Sequence, residues 1–484
     1  MIAVAVLTLL AGCSGPVSDS AGTPTASPPA DPTATDARAT TGGGTTAAGG
    51  ATTAAATTDG GTDTTTTTDD ATTGEGTRTT TSDDREPWPD DDGPPRVETL
   101  SGDRPDLNYS ATLVLRRVER LRGLDATDDV RLAVEKPPWG ITSNRTRDYP
   151  DERYGIAPIG AVALQLESDA ETPILRSSGV AKSVNPRVTE TVNVWEADAV
   201  REYRNDSQQV VLAHEFTHVL QYQNDVAWEA LSDFPTTDEV LALKALIEGD
   251  AIVVHEQYRE RYVDREGGVT PESYNDTVTR ASWPIDLVNL AYYHGYRFFD
   301  RTTDSPEART EVLEDPPRTT AALLHPESAP ERPAGSATPP GANGWTQYRI
   351  DRVGELTVRT AFRANGIPVE RSRAAAGGWR NDRMVYLRNQ SDEDRQVVHW
   401  RTRWADEAEA REFARTWRAM LNRSNATTED GLIRVPRTPD RPGNWVWIDR
   451  VDDRVDVVTA TSREDLLAVL AEYGVEDPAE DSVR

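Results

Sequence analysis

The segment VVLAHEFTHVLQYQND, from Val210 to Asp225, holds two histidines four residues apart and a glutamate directly after the first. Residues four apart lie on one face of an α-helix, so His214 and His218 can direct imidazole nitrogens at one point. Glu215 then lies beside that point. This HExxH arrangement supplies two metal ligands and a carboxylate able to take a proton from metal-bound water.

The flanking residues predict the extent of this helix. Asp206 offers an N-cap with Gln209 three residues later, and the helical pattern continues to Gln223. The chain has 6 histidines, and a chance HExxH in such a chain has odds of roughly one in a hundred. The alternative is a helix whose two histidines are ordinary core or surface residues.

A third ligand is predicted in the next helix, which begins at Thr236 and continues to about Tyr262. Within KALIEGDAIVV, Glu248 has apolar neighbours on several sides. A carboxylate buried there is costly unless it meets a cation. Two histidines and one glutamate leave a tetrahedral position open for water, which is the catalytic pattern.

Two other readings of this second helix stay open. Glu248 is an ordinary helix residue if its side chain reaches solvent. His255 is a rival ligand on the same face, but it lies two turns away and is more typical of a core residue or a neighbour of the ligands. Gly249 favours a close backbone approach between the two helices.

Composition limits the folded length and the partners. No Val, Leu, Ile, Phe, Tyr, Met or Trp occurs between Val17 and Trp88, so this stretch is expected to be a disordered tether. The net charge of −29 argues against a nucleic-acid partner. Basic residues are almost all arginine, the lysines being Lys136, Lys182 and Lys244. Such acidity favours a halophilic source, the alternative being an acidic mesophilic protein.

The single cysteine lies in the N-terminal segment MIAVAVLTLLAGCSG. This segment resembles a lipobox, which implies a signal peptide over residues 1–12 and a lipid on Cys13, although no Lys or Arg precedes the apolar run. Twelve residues cannot span a bilayer that needs about 20. We therefore expect lipid anchoring at the extracellular face of the cell membrane, a tether over residues 13–96, and sequons that make the surface glycosylatable.

The remaining pattern predicts an α+β fold in two parts, residues 97–340 and a small α+β module over residues 341–484. The first part is expected to contain helices at Tyr109–Leu121 and Ile285–Arg301 and strands at Val130–Lys136, Gly160–Ser168 and Thr191–Ala197. The second follows a proline-rich stretch and is expected to contain the helices GELTVRTAFRANG and Ala405–Leu421, the strands DRMVYLRN and RQVVHWRTRW, and the hairpin NWVWIDRVDDRVDVVTA.

HEFTH followed by a helix bearing EGDA resembles the gluzincin group of zinc metallopeptidases. The resemblance implies a zincin-like fold for residues 97–340, Zn²⁺ held by His214, His218 and Glu248, and Glu215 as general base. The chain as a whole resembles a family of haloarchaeal surface lipoproteins of unknown function, through the lipobox, the Thr-rich tether, HEFTH, IEGDA, PPRTTAALLHP and GGWRNDR. It departs from well-known gluzincins in the 29-residue gap between His218 and Glu248. No Asp lies four residues beyond Glu248 to orient a histidine; either Asp250 takes that part, or no such residue is needed.

Peptide hydrolysis also requires a donor for the developing oxyanion. Tyr292, Tyr293, His294 and His325 are candidates, and packing or helix-end roles explain each of them equally well. The predicted function is a lipid-anchored zinc metallopeptidase acting on a peptide or protein. A non-catalytic surface scaffold that retains the fold is the main alternative. A lipid-anchored solute-binding protein fits less well, because the chain lacks alternating βα units across two lobes.

Overall fold

In a computed structural model the chain is described at residues 95–100, 107–135, 156–166, 179–182, 191–204, 206–226, 236–263, 268–276, 278–279, 283–329, 339–439 and 441–481. The predicted signal peptide, Cys13 and most of the predicted tether lie outside these residues. No helix within them is both long enough and apolar enough to cross a membrane.

The first half of the described chain combines a small sheet with a group of helices. Its strands are β1 (Val97–Thr99), β2 (Val130–Glu135), β3 (Gly179–Lys182) and β4 (Thr191–Trp195). They form one sheet in the order β1-β2-β4-β3, with β3 the antiparallel member. The helices are α1 (Ala111–Arg122), α2 (Pro158–Ala163), α3 (Ala197–Arg204), α4 (Gln208–Gln223), α5 (Thr237–Tyr262), α6 (Trp283–Thr302), α7 (Pro306–Glu314) and α8 (Thr320–Leu324), with a 3₁₀ turn at Pro271–Asn275.

The predicted strand at Gly160–Ser168 is wrong, because residues 158–163 form α2. Pro158 occupies the first turn of that helix, where its missing N–H costs nothing. Every residue from 159 to 163 is buried, so this short apolar run shows no polar face that would reveal a helical period. The predicted strands at Val130 and Thr191 are confirmed.

Helix α4 is enclosed on all sides and packs against α1, α5 and the sheet strands β3 and β4. Residues 210–221 are all buried. The helix begins later than predicted: its N-cap is Ser207, whose side chain makes no capping hydrogen bond. Helix α5 begins as predicted, because the Thr236 side chain accepts a hydrogen bond from the Glu239 backbone N–H.

The close backbone approach predicted at Gly249 exists, but its partner is α6 and not α4. A Cβ atom at Gly249 would lie 2.3 Å from the carbonyl carbon of Gly295, and one at Gly295 would lie 1.7 Å from the Ala245 oxygen. Only glycine fits at both positions, so α5 and α6 touch backbone to backbone.

The second half is built on a seven-stranded sheet in the order β5-β6-β7-β11-β10-β9-β8, and each of its pairings is antiparallel. Its strands are β5 (Trp345–Asp351), β6 (Trp379–Asn389), β7 (Gln396–Trp404), β8 (Thr427–Glu429), β9 (Leu432–Val435), β10 (Asn444–Val451) and β11 (Arg454–Ala460). Its helices are α9 (Gly354–Ala364), α10 (Val369–Gly377), α11 (Glu407–Arg423), α12 (Arg463–Glu472) and α13 (Pro478–Asp481). The helices, strands and hairpin predicted for this half are confirmed, and the described chain is a mixed α+β structure.

One hydrophobic cluster spans the boundary that the sequence suggested at residue 341. It joins Leu246 and Trp283 of the first half to Phe362 and Trp400 of the second. Helix α9 packs against α5, α6 and α8. A second cluster lies between α1, α4 and the small sheet. The two halves therefore share one hydrophobic cluster, in addition to the cluster within the first half and a third cluster within the second.

Candidate metal centre

Three side chains from α4 and α5 meet in the interior. The Nε2 atoms of His214 and His218 lie 3.1 Å apart, and each lies 3.3 Å from Oε2 of Glu248. All three residues are 0% exposed. Four ligands placed tetrahedrally at about 2.0–2.1 Å from a zinc ion lie roughly 3.3–3.4 Å from one another. The three atoms therefore have the spacing of three tetrahedral ligands, and the group can hold a metal ion.

A hydrogen-bond network sets the tautomer of His218. The side-chain amide of Gln221 donates through Nε2 to the Ile247 carbonyl at 3.1 Å and to Asp250 Oδ2 at 2.8 Å. Because Nε2 faces two acceptors, Oε1 is the atom that faces His218 Nδ1, at 2.9 Å. Nδ1–H therefore donates to Gln221, and Nε2 is the nitrogen of His218 that faces the other ligands.

Asp250, to which Gln221 donates, is itself held by two arginines. The Nε atoms of Arg122 and Arg309 donate to its two oxygens at 2.6 and 2.8 Å. Burial alone would raise the pKa of Asp250, but the two guanidinium groups hold it below its ordinary value. Asp250 is thus linked to His218 through Gln221, and its role in orienting that histidine stays a prediction.

Glu248 is stabilised as a carboxylate in spite of its burial. Burial alone would raise its pKa, whereas the charges of His218 and Lys244 hold the pKa well below its ordinary value. Nζ of Lys244 lies 3.5 Å from Oε1 of Glu248 and is itself buried. Burial lowers the pKa of Lys244, and the Glu248 carboxylate acts against that shift and favours the ammonium form. The two oxygens of Glu248 consequently have different neighbours, the histidines at Oε2 and the lysine at Oε1.

The two histidines differ in their affinity for protons. Burial lowers the pKa of His214. Burial also acts to lower the pKa of His218, but the Glu248 carboxylate outweighs it and raises that pKa to about 9. Protons and a metal ion compete for the same nitrogen atoms, so metal binding here would be weaker at low pH. Glu215 is also 0% exposed, and its charge acts on both imidazoles.

Of the candidate oxyanion donors, Tyr292 contacts this group. It is fully buried, and its ring is parallel to that of His214, with the centroids 6.5 Å apart. The ring of Tyr293 packs edge-to-face against the ring of its neighbour His294. His255 lies beside the group but outside it, its ring centroid 6.2 Å from that of His214 and its Nε2 3.5 Å from Asp206 Oδ2. Burial and the charge of Arg259 lower the pKa of His255 to about 3, so it is neutral.

His294 and His325 belong to another cluster. His325 ends α8, and its Nε2 lies 2.9 Å from Glu355 Oε1, which also accepts hydrogen bonds from Arg359. Burial lowers the pKa of His294, and the charges of Arg359, Arg363 and Arg301 lower it further. Neither histidine is placed with the three candidate ligands.

Sequence reasoning missed Lys244, Gln221, Arg122 and Arg309. Lys244 precedes Glu248 by four residues and Gln221 follows His218 by three, so helical spacing alone was a sufficient signal for both. The two arginines come from α1 and α7, far along the chain, and no local pattern indicates them. A cavity of about 320 Å³ opens beside the first turn of α4, where Tyr109, Asp206 and Gln208 line it, and the three candidate ligands are not among its lining residues.

Comparison with known proteins bears on the second half of the chain. Residues 346–470 match the model of a domain of unknown function (DUF8575). No curated protein and no solved structure matches the chain. The matched segment begins in β5 and ends in α12, so it contains none of the residues of the metal centre.

Proposed function

We propose that the protein is a zinc-dependent peptidase of the gluzincin type, with a zincin-like arrangement of α4 and α5 at its centre. The observation that supports this most is the convergence of His214 Nε2, His218 Nε2 and Glu248 Oε2 at tetrahedral spacing. Two histidines and one carboxylate leave one position open, which is the ligand set of catalytic zinc sites. The lipid on Cys13 and the place of action at the outer membrane face are part of the same proposal.

The chemistry is divided between the ion and the side chains around it. Zinc would supply a Lewis acid for the scissile carbonyl and would acidify a water molecule. Glu215, next to His214 on α4, accepts the proton and passes it to the leaving amine. Tyr292, packed against His214, is the candidate donor that its position favours for the oxyanion.

Burial of the whole group favours a second candidate, a surface scaffold in which the metal is structural. His214, Glu215, His218 and Glu248 each have 0% exposure, whereas hydrolysis requires water and a peptide to reach the metal. A structural zinc contributes to folding and needs no such access. The two candidates share the metal and differ in the use of Glu215.

The deciding experiment compares Glu215→Gln with the unmodified full chain in molar salt, which screens repulsion within so acidic a protein. Glutamine keeps the size of the side chain and leaves the three ligands in place, but it cannot accept a proton. We expect both proteins to bind one zinc per chain and the variant to lose peptide hydrolysis by about 10²–10⁴-fold. Zinc is measured by elemental analysis and hydrolysis on a broad peptide library.

Glu260→Gln, at an exposed position of α5, is the matched control and should leave both quantities unchanged. His214→Ala should remove the zinc. A chain that binds zinc but shows no hydrolysis, with or without Glu215, identifies the scaffold. A chain that binds no zinc contradicts both candidates.

A further inference from the structure

Lys244 is a buried lysine that lies beside one of the three candidate ligands. The chain has three lysines, and nearly all its other cations are arginines. Lys244 lies in α5, one helical turn before Glu248, and is 4% exposed. An ammonium group is strongly hydrated, so burying one is costly unless a charge nearby compensates for it.

The geometry shows what Lys244 does to the candidate ligand. Its Nζ lies 3.5 Å from Oε1 of Glu248, while Oε2 of the same carboxylate faces His214 and His218. Nζ also lies 5.5 Å from the centroid of the Tyr292 ring, which stacks on His214. The ammonium is thus held on the side of the carboxylate that faces away from the histidines.

A carboxylate can bind a metal through one oxygen or through both. A metal ion that moved toward Oε1 would approach the ammonium, and the like charges would repel each other. We propose that Lys244 is a positioning residue that restricts Glu248 to coordination through Oε2 alone. This keeps the fourth position of the metal open, and it rests on the metal centre of the proposed function.

The same geometry explains why an arginine-rich chain has a lysine here. The planar fork of a guanidinium pairs with both oxygens of a carboxylate at once. An arginine at position 244 would therefore engage Oε2 as well and compete with the metal for it. The compact ammonium of Lys244 neutralises Oε1 and leaves Oε2 to the metal.

The test uses Co²⁺ in place of zinc, because its visible absorption reports coordination number and is strong when four ligands surround the ion. Wild-type full-length protein should give the strong four-coordinate spectrum. In Lys244→Met, Oε1 is released and becomes a fifth ligand, so the absorption should fall several-fold while one Co²⁺ stays bound. Lys244→Gln should show the same fall, and it provides the reading if the methionine variant does not fold.

Lys244→Arg should instead bind Co²⁺ with lower affinity. The Co²⁺ that it does bind should keep the four-coordinate spectrum. The expected loss of affinity is about 10–100-fold, the range for residues that contact the ligands of a metal but not the metal itself. Affinity is measured by competition with a coloured chelator. Leu246→Met, a volume-conserving change at a buried position of the same helix, is the control and should alter neither quantity.

The outcomes separate this inference from the proposed function. Unchanged spectra in Lys244→Met and Lys244→Gln, with metal bound, overturn the role of Lys244 and leave the metal centre intact. Unchanged affinity in Lys244→Arg overturns the explanation for the choice of lysine. A wild-type chain that binds neither Co²⁺ nor Zn²⁺ refutes the metal centre and this inference with it.

Discussion

At the scale of single residues, two buried aspartates connect the halves of the molecule. Thr237, at the start of α5, donates its backbone N–H and its hydroxyl to the two oxygens of Asp351. Thr320 donates its backbone N–H and its hydroxyl to one oxygen of Asp238, Oδ1, and Arg352 donates to the other oxygen, Oδ2. Burial is the main cause that raises the pKa of Asp351 to about 6 and that of Asp238 to about 7. Both carboxyls therefore resist ionisation in the folded state.

The substitution Asp351→Asn tests whether the Asp351 carboxyl resists ionisation in the folded state. A raised folded-state pKa gives stability that is present at low pH and is lost as the pH rises from about 4 to about 6. The variant cannot ionise, and its amide can still serve the Thr237 hydroxyl. Relative to wild type its free energy of unfolding should therefore rise across this window, by roughly 3 kcal/mol at about 1.4 kcal/mol per pH unit.

Urea unfolding at pH 4, 5, 6 and 7 in constant salt measures the difference. The two proteins should be nearly equal at the lowest pH. Asp304→Asn, at an exposed site, should give a difference that does not change with pH. A constant difference for Asp351→Asn as well would show that this carboxyl titrates normally.

The metal centre shows which residues a sequence can reveal. His214, His218 and Glu248 follow from helical spacing and from a charge set among apolar neighbours, and both signals are local. The network around them is local only in part, since Arg122 and Arg309 reach Asp250 from 128 and 59 residues away. Contacts of that separation depend on how the helices pack, which no spacing rule encodes.

At the scale of elements, the decisive contact is the crossing of α5 and α6. Helix α5 carries Glu248 and Lys244, and α6 carries Tyr292, so this crossing sets the distance of the tyrosine from the ligands. The sequence revealed a glycine suited to close approach but not its partner, because Gly249 and Gly295 lie in different helices. Gly160–Ser168 shows a similar limit, since a fully buried run is compatible with either a strand or a helix.

Gly295→Ala should destabilise the protein, because the new methyl would overlap the Ala245 carbonyl unless α6 moved. Overpacking typically costs about 1–3 kcal/mol, and alanine returns up to about 1 kcal/mol of helix propensity, so a net loss is expected. Thermal unfolding measures it. Gly341→Ala, where a Cβ meets nothing within 4 Å, should leave the midpoint nearly unchanged. Equal midpoints for all three proteins would contradict backbone contact between the helices.

At the scale of the whole molecule, the match to a domain of unknown function over residues 346–470 raises the question of whether that segment folds separately. The packing argues that it does not separate cleanly from the first half. Phe362 and Trp400 share a cluster with Leu246 and Trp283, and the Asp238 backbone N–H donates to the Arg352 carbonyl. The proline-rich stretch near residue 340 suggested a domain boundary, yet a change in composition says nothing about which apolar faces meet across it.

A chain that ends at residue 340 should therefore lack a cooperative unfolding transition. Removal of residues 341–484 exposes the apolar surface that α5, α6 and α8 bury against α9, and it removes Asp351 from Thr237 at the start of α5. Because α5 carries Glu248, the truncated chain should also bind metal weakly. Calorimetry and zinc titration of the truncated and full chains measure both effects.

Coexpression of residues 341–484 as a separate chain should restore the cooperative transition and the metal binding, since the shared core needs contact and not covalent continuity. A cooperative transition and full zinc binding in the truncated chain alone would show that the halves are independent domains.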